Sequence, residues 1–541
     1  MNKIRILPFC SVLALGAALA LGGCSSGKKP PALAVSKPAA VTIPAPETPK
    51  DKALFGYAKL RDPVGLSHKL FGLAAPVMLS QMDLNINELK PGRTVAVFGW
   101  DPGDGPVMAA PVAAVIPAPA DGQLVAKLSR LAPSAKATPL GESTLLALNP
   151  AGAERAAAEG QALGATAEAK TPFDLLLLVH MDSVMAKYGP QLQKMLAQIP
   201  LNGSRDQPGM EGATQSGRKI LEEMIDRVSA MKALSIGAQL SDSALELALI
   251  TDDKQAGDKA GPVAAPDLAQ FMPPGQVRFQ WHVRDVQKIA DFYLRTYAPV
   301  LDSKPALKQQ IQQLVAEWQK AGRSQLYAGS MSFGGEKFMQ ISALMKVDNG
   351  KAAMAAVRKG IALFDNPELK EVYKNLGIEM SMTSQPGVRK LHGWPVDRYA
   401  YTFKVTKPEL QQAAGLLSKL SGMTYEIVQV GDYLAFTIGG TVDELVNSLM
   451  TGKGAGGLAA MKQFPAGGGF YADVDVMRIA KAAAAMSGRE VSLPELPPGA
   501  QTLTLWSYDA GQTAMYKASV PRPLIDLAIS AAMRPPGAPP P

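Results

Sequence analysis

A strand-like run that ends in aspartate and continues directly as a helix-like run recurs along this chain, and this pattern constrains its fold most. The aspartates at these junctions are Asp62, Asp182, Asp285 and Asp475. The last two continue as Asp-Val-Gln-Lys-Ile-Ala and Asp-Val-Met-Arg-Ile-Ala, a close internal match. A carboxylate at such a junction accepts hydrogen bonds from the free backbone N–H groups of the helix and complements its positive end. We therefore predict that all four aspartates are helix N-caps.

A second repeat lies further along the chain, where residues 397–410 align without a gap on residues 432–445. Each copy is a strand-like run that leads into a Thr-x-x-Glu sequence. In such a capping box the hydroxyl and the carboxylate satisfy each other's backbone donors. The pattern predicts that Thr406 and Thr441 are helix N-caps.

Hairpin patterns fill much of the remaining chain. Two apolar or alternating runs separated by a turn signal occur in segments 235–251, 325–347, 424–438 and 502–520, and each is typical of a β-hairpin. Hairpins followed by helices predict an α+β fold, with antiparallel sheets and helices on one face, rather than a doubly wound α/β sheet. We predict two related lobes built from repeated strand–helix–hairpin units. They are placed at residues 51–253 and 268–534, with a linker at 254–267.

The N-terminus has the pattern of an export signal. Lys3 and Arg5 precede an apolar run from Ile6 to Leu21 that is rich in small residues. A basic start, a short apolar run and a small-residue exit are typical of a secretory signal peptide. We predict this signal peptide at residues 1–23.

The end of this signal carries the most specific motif in the chain. The residues Leu21-Gly22-Gly23-Cys24 resemble the lipobox of bacterial lipoproteins, which marks a type II signal peptide. The resemblance implies that Cys24 becomes the first residue of the mature protein and carries acyl chains such as palmitate. Two or three such chains anchor a protein stably in a membrane. Cys24 is therefore the predicted site of lipid attachment.

The residues after Cys24 bear on where the anchor is held. Ser25 stands where lipoproteins retained in the inner membrane carry aspartate, so the resemblance implies the outer membrane, at its periplasmic face. Residues 24–50 are rich in proline and alanine and are predicted to be a tether. Residues 535–541 are predicted to be a disordered tail.

Composition excludes several classes of protein. The chain is 47% apolar and 19% charged, which is typical of a folded protein. Its two cysteines both lie in the first 24 residues, so neither a disulfide framework nor a four-cysteine zinc site can form. The net charge of +8 over 541 residues is a mild excess, and we expect no nucleic-acid partner. We also expect no cofactor and no metal.

No catalytic motif is complete in this sequence. The Gly-x-Gly-x-x-Gly match at residues 452–457 follows a helix-like run instead of a strand, so we interpret it as a loop. His180 and His282 each lie shortly before a predicted capping aspartate, which makes them candidates for metal ligands or for an acid/base pair. Alternation around His282 places it on a polar, solvated face. We therefore predict no catalytic residue.

Methionine and tryptophan suggest a second kind of site. Met380 and Met382 on one strand face could bind copper or form a pliable apolar groove, although we predict that they belong to the core. The tryptophans predicted to anchor the core are Trp281, Trp318, Trp394 and Trp506. An exposed aromatic groove for a sugar or for peptidoglycan is the alternative.

The body of the chain, at about residues 52–534, resembles uncharacterised envelope lipoproteins of Gram-negative bacteria that are built from repeated strand–Asp–helix and hairpin units. The resemblance implies no catalytic residue. Our first hypothesis is a non-catalytic, lipid-anchored scaffold or binding protein, whose partner is an envelope protein, a glycan or a lipid. The alternatives are an apolar-ligand carrier or chaperone, and a hydrolase or metal enzyme that uses His180 or His282.

Overall fold

The computed structural model describes residues 53–71, 88–105, 110–132, 134–198, 211–253, 265–334, 338–375, 377–406, 421–454, 456–486, 493–497, 499–510 and 512–532. The predicted signal peptide, Cys24, the tether and the tail lie outside these residues. So do most of the predicted linker and the segment that follows Thr406.

The described residues form eighteen strands and thirteen helices. The strands are β1 Leu54–Arg61, β2 Thr94–Trp100, β3 Val112–Ile116, β4 Lys136–Leu140, β5 Ser143–Ala147, β6 Leu175–Val179, β7 Met231–Leu240, β8 Ala244–Asp253, β9 Val277–Val283, β10 Gln325–Phe333, β11 Met339–Lys346, β12 Ile378–Leu391, β13 Trp394–Val405, β14 Thr424–Val430, β15 Tyr433–Ile438, β16 Phe470–Asp475, β17 Thr502–Asp509 and β18 Thr513–Pro521. The helices are α1 Pro63–Phe71, α2 Gln123–Leu131, α3 Pro150–Glu168, α4 Met181–Gln198, α5 Glu211–Ala230, α6 Val286–Leu301, α7 Pro305–Gln319, α8 Gly350–Ala362, α9 Pro367–Asn375, α10 Asp443–Thr451, α11 Ala459–Gln463, α12 Val476–Met486 and α13 Arg522–Ala532.

All eighteen strands belong to one sheet in which every neighbouring pair is antiparallel. Their pairings give the order β4-β5-β3-β2-β1-β6-β7-β8-β18-β17-β16-β9-β10-β11-β15-β14-β13-β12. The predicted α+β class with antiparallel pairing is confirmed. Instead of two separate sheets, the predicted lobes share one continuous sheet.

The two halves of the sheet repeat one strand order. The first half runs β4-β5-β3-β2-β1-β6-β7-β8, and the second runs β14-β15-β11-β10-β9-β16-β17-β18, with the hairpin β12–β13 added next to β14. The halves meet where β8 and β18, which are equivalent strands, pair antiparallel over nine residue pairs from Ala244 opposite Pro521 to Asp252 opposite Thr513. Antiparallel pairing of equivalent strands relates the halves by an approximate two-fold axis.

One face of the sheet, here called the inner face, carries the largest core. Tyr57, Ile250 and Met515 lie on this face and are buried. Apolar side chains of α3 and α10 pack against it in two core clusters. The inner face is therefore filled in both halves of the sheet.

The opposite face, here called the open face, is buried at its two flanks. Side chains of α2 pack on Ala114 and Leu146 at one flank, and those of α7 and α8 pack on Met345 and Leu434 at the other. Helices thus lie on both faces of the sheet, not on one face as predicted. The reason is visible in β3, whose sequence VAAVI is apolar at consecutive positions, because such a strand needs cover on both sides.

A buried ion-pair network fixes the added hairpin to the sheet. The Glu426 carboxylate of β14 is 1% exposed and accepts hydrogen bonds from Nη2 of Arg389 at 2.6 Å and from Nη2 of Arg398 at 2.7 Å. It also accepts one from the backbone N–H of Val442 at 3.2 Å. Burial raises the pKa of Glu426, but the two guanidinium groups outweigh burial, and the pKa is lowered overall. The carboxylate therefore ties β12, β13 and β14 to the segment before α10.

Candidate functional site

A row of paired side chains crosses the open face in the middle of the sheet. It contains one residue from each of ten neighbouring strands: Val97, Ala58, Leu177, Ile236, Leu249, Tyr516, Ser507, Phe470, Trp281 and Tyr327. Six of them, namely Val97, Leu177, Ile236, Leu249, Tyr516 and Trp281, are between 38% and 50% exposed. The row crosses the junction between the two halves at Leu249 and Tyr516.

The neighbouring row, two residues further along each strand, is also free of charge. It contains Val95, Leu60, Leu175, Ala238, Leu247, Ala518, Leu505, Ala472, Phe279 and Gly329. Leu175 is 45% exposed and Leu247 is 40% exposed. We call the two rows together the apolar strip.

The size of the apolar strip separates it from ordinary scattered surface residues. Ten strands about 4.8 Å apart give it a length of roughly 43 Å. With two rows of side chains its footprint is on the order of 400 Å², within the ~300–600 Å² of the largest apolar patch on a typical monomer, and such a patch is often functional. At its two ends the first row continues into buried residues, namely Ala114 opposite Val97 and Met345 opposite Tyr327. Within the described part of the chain, the strip is therefore the uncovered middle of a face whose flanks are covered by helices.

The sequence of β6 shows why this surface is unusual. The strand reads LLLLV, which is the pattern of a strand buried on both faces. Leu178 points to the inner face and is fully buried, whereas Leu175 and Leu177 point to the open face and are exposed. Consecutive leucines were the available signal for the strip. From the sequence, only His180 and Asp182 after this strand were interpreted.

Helices from the two halves meet next to the strip. Nε of Arg295 on α6 donates to the Glu223 carboxylate on α5 at 3.2 Å, and the Arg227 guanidinium of α5 lies 5.9 Å from the ring centre of Phe292 on α6. Arg227 also lies within electrostatic reach of the Tyr516 phenol, together with Asp509 and Asp253. Desolvation of the phenol group first, and then the two carboxylates, raise the pKa of Tyr516.

Trp281 is an exposed aromatic residue of the strip, although it was predicted to anchor the core. Its ring centre lies 5.9 Å from that of Tyr327. The other four tryptophans are all buried: Trp100, Trp318, Trp394 and Trp506. The prediction was wrong because Gln280, the neighbour of Trp281, takes the inner face. Its buried amide accepts from the backbone N–H groups of Leu268 and Ala269 and donates to the Pro266 carbonyl.

His282 lies on the inner face as well, not on the solvated face that its alternation predicted. Its Nε2 is 2.6 Å from Oγ of Ser324, and burial first, then Arg284, lower the pKa of His282. A cavity of about 50 Å³ beside it is lined by His282, Gln280, Leu326, Tyr471, residues 466–469, Ala265 and Met461. Ser324 does not line this cavity, so the hydroxyl that His282 contacts does not face the available space.

His180 is buried immediately before α4. Its backbone N–H donates to the Phe55 carbonyl at 2.7 Å. Burial lowers the pKa of His180, and the opposing effect of Asp182 is smaller. In the part of the chain that the structure describes, no three His, Cys, Asp or Glu side chains are grouped to hold a metal ion. Neither histidine is therefore brought into a described cluster of ligands.

Three of the predicted capping aspartates hold backbone N–H groups at helix starts. Oδ1 of Asp285 accepts from the N–H of Gln287 at 3.0 Å, Oδ1 of Asp62 from that of Gly65 at 3.2 Å, and Oδ1 of Asp475 from that of Arg478 at 2.9 Å. The Asp285 carboxylate also binds Arg323, whose hydrogen bond lowers the pKa of Asp285.

The other predicted caps differ in position. Asp182 is the second residue of α4, because His180 rather than Asp182 precedes the helix. Helix α10 begins at Asp443 and is preceded by Val442, so Thr441 lies one residue further out than predicted. Thr406 ends the described residues before the gap, and the helix predicted after it lies outside them.

Two sequence features that suggested sites have structural roles. A Cβ atom on Gly454, in the glycine-rich segment 452–457, would lie 2.1 Å from the Gln270 carbonyl oxygen, so the loop needs glycine for close packing. Met380 is buried among the aromatic side chains of Phe364, Tyr373 and Tyr401. The methionine strand therefore belongs to the core, as predicted.

Comparisons of this chain with protein-family models, with curated proteins and with solved structures found no match. Across the described ranges, no helix has both the length and the apolarity that a membrane span requires. Function is therefore inferred from the chemistry of the apolar strip.

Proposed function

We propose that this chain is a non-catalytic, lipid-anchored binding protein of the cell envelope that holds an aliphatic chain on its apolar strip. The observation that carries the proposal is the register of the open face. Two adjacent rows, each drawn from ten strands, contain no charged side chain, and eight of their members are exposed by 38% to 50%.

The position of the strip within the sheet supports an aliphatic ligand. Strands β1, β6, β7, β8 and β18 each have a hydrogen-bonded neighbour on both sides. A partner therefore cannot add a strand here, and recognition has to use side chains alone. Because the exposed side chains of the first half are Val, Leu and Ile, the surface favours a ligand that is itself apolar.

The expected affinity follows from the hydrophobic effect. Burial of one methylene contributes about 0.8 kcal/mol, yet a single myristoyl chain binds a bilayer with a constant of only ~10⁴ M⁻¹. On the same scale a fourteen-carbon chain on the strip should bind with a Kd of roughly 100 µM, and a twelve-carbon chain, which has two methylenes fewer, about tenfold to twentyfold more weakly. Such binding is reversible, as a carrier requires.

The predicted anchor is consistent with this role. A lipobox-like cysteine at Cys24 would keep the strip near a membrane, where aliphatic chains are concentrated. A scaffold and a carrier would then both bind through the apolar strip, and the identity of the ligand distinguishes the two hypotheses.

Trp281 provides a direct test, because it is the tryptophan that lies in the strip. The full chain carrying Cys24→Ala, which cannot be acylated at that position, is titrated with dodecanol that carries bromine on its terminal carbon. We expect bromine to quench the fluorescence of Trp281, and the quenching to disappear in Trp281→Phe. Absence of quenching in the Cys24→Ala chain, together with no binding in equilibrium dialysis, would contradict the proposal.

A matched control uses an exposed valine outside the strip. Val388 on the edge strand β12 is 42% exposed, close to the 45% of Ile236. Val388→Ser should leave the quenching unchanged, whereas Ile236→Ser should shift it to higher ligand concentration.

A further inference from the structure

The two halves of the first row differ in chemistry although their strands are equivalent. From β2 to β8 the row reads Val97, Ala58, Leu177, Ile236 and Leu249, and from β18 to β10 it reads Tyr516, Ser507, Phe470, Trp281 and Tyr327. One half is aliphatic and the other is aromatic apart from one serine. The change falls at the two-fold junction, between Leu249 and Tyr516.

We infer that the ligand is an amphiphile with a neutral sugar head, whose aliphatic chain lies on the first half and whose sugar lies on the aromatic half. This inference rests on the proposed function of the strip. An aromatic ring offers an apolar face with a weakly negative surface. The C–H groups on one face of a sugar ring can stack on the face of the aromatic ring, while the sugar hydroxyl groups at the edge stay available for hydrogen bonds.

The exposed aromatic residues are spaced for a group larger than a single small head. Tyr516 and Trp281 are three strand spacings apart, or roughly 14 Å. The Ser507 hydroxyl lies between them in the row and can donate to or accept from a sugar hydroxyl. The aromatic half therefore has both stacking faces and a hydrogen-bonding group.

Charges near Tyr516 are balanced. Asp253, Asp509 and Arg227 act on the Tyr516 phenol, and the Arg284 guanidinium lies 3.4 Å from the Asp509 carbonyl oxygen. Two carboxylates and two guanidinium groups give neither an anionic nor a cationic head an advantage, and both kinds of group can form hydrogen bonds with sugar hydroxyls. This surface favours a neutral sugar over the anionic heads of common lipids.

The test compares four probes that share a twelve-carbon chain and differ in their heads. They are dodecyl maltoside, dodecanol, laurate and dodecyltrimethylammonium. Each is titrated by calorimetry into the full Cys24→Ala chain, below the solubility limit of dodecanol and below the micelle concentrations of the other three probes. We expect the maltoside to bind about tenfold more tightly than dodecanol, since one aromatic stacking contact contributes about 0.5–1.5 kcal/mol and tenfold corresponds to about 1.4 kcal/mol. Laurate should bind no more tightly than dodecanol.

Three variants separate the contribution of the head group from that of the aliphatic chain. Trp281→Ala should abolish the tighter binding of the maltoside and change the Kd of dodecanol by less than twofold. Trp281→Phe should retain most of the tighter binding of the maltoside. Ile236→Ser should weaken all four probes alike. Equal binding of all heads, or a preference for trimethylammonium, would overturn the sugar inference while the strip remains a binding site. Failure of all four probes to bind would overturn both proposals.

Discussion

Leu249 of β8 and Tyr516 of β18 lie directly opposite each other in the strand pair that joins the two halves of the sheet, and both side chains are exposed. The two faces of this junction differ. Here the inner side of the same junction is filled, since Ile250 and Met515 are paired and buried. The open side is left apolar and accessible, and the proposed binding surface therefore runs across the approximate two-fold axis.

The β8–β18 junction should hold the halves together without a covalent connection. Nine residue pairs form its ladder, and the core cluster of the inner face contains side chains from both halves. We predict that a protease site introduced directly after Asp253 can be cleaved in the purified protein and that the two pieces still elute together in size-exclusion chromatography. Elution as two separate species without denaturant would show that the junction is not the main contact.

The capping aspartates give a matched pair of variants. Asp285 precedes α6 and accepts from the N–H of Gln287, whereas Asp182 lies inside the first turn of α4. Loss of an N-cap costs about 1 kcal/mol, so Asp285→Ala should lower the free energy of unfolding in urea by about that amount. Asp182→Ala should change it by less than about 0.5 kcal/mol, the usual range for a surface substitution. Equal effects of the two variants would contradict the assignment.

The Glu426 network should matter more than an exposed ion pair. Glu426→Ala leaves Arg389 and Arg398 without this buried carboxylate. We expect a loss of about 2 kcal/mol, below the ~3–5 kcal/mol of a fully buried pair, because both arginines are partly exposed. Glu379→Ala removes the exposed pair with Lys404 and should cost less than about 1 kcal/mol. Chemical denaturation measures the free energy of unfolding of both variants. A larger loss for Glu379→Ala than for Glu426→Ala would contradict the stabilising role of the Glu426 network.

His180 makes stability depend on pH in a defined direction. Burial lowers the pKa of His180 below its ordinary value of 6.5, so below that pH the unfolded chain binds a proton that the folded chain does not bind. Stability is then full above about pH 6.5 and falls as the pH is lowered from there. His282 shifts in the same direction and should account for part of the slope.

The melting temperature between pH 7.5 and pH 5 tests this directly. We expect it to fall with pH less steeply in His180→Leu than in the parent chain. An identical slope in the two proteins would mean that His180 is not buried in its neutral form.

The sequence predicts local secondary structure well, but it does not predict which parts of the sheet are covered by other elements. Asp285 could be placed before a helix because capping depends on neighbours in the chain. The α+β class followed from the hairpins for the same reason. Trp281 could not be placed, because alternation shows that Trp281 and Gln280 point to opposite faces but not which face is buried.

Which face is buried depends on residues outside the strand. Gln280 is accepted on the inner face because backbone groups of Pro266, Leu268 and Ala269 satisfy its amide. The apolar strip arises in the same way. Its leucines have the sequence pattern of buried residues. They are exposed because, among the described residues, helices cover only the flanks of the open face and leave its middle accessible.

The affinity of the strip for an aliphatic chain tests the central claim most directly. Leu177, Ile236 and Leu249 are adjacent in the first row and are 38% to 45% exposed, so replacing all three by serine should lower the melting temperature but leave the protein folded. Calorimetric titration of dodecanol into the Cys24→Ala chain, with and without these three substitutions and with Val388→Ser as control, gives the comparison. We predict at least tenfold weaker binding for the triple variant alone, whereas equal affinity in all three proteins would contradict the account.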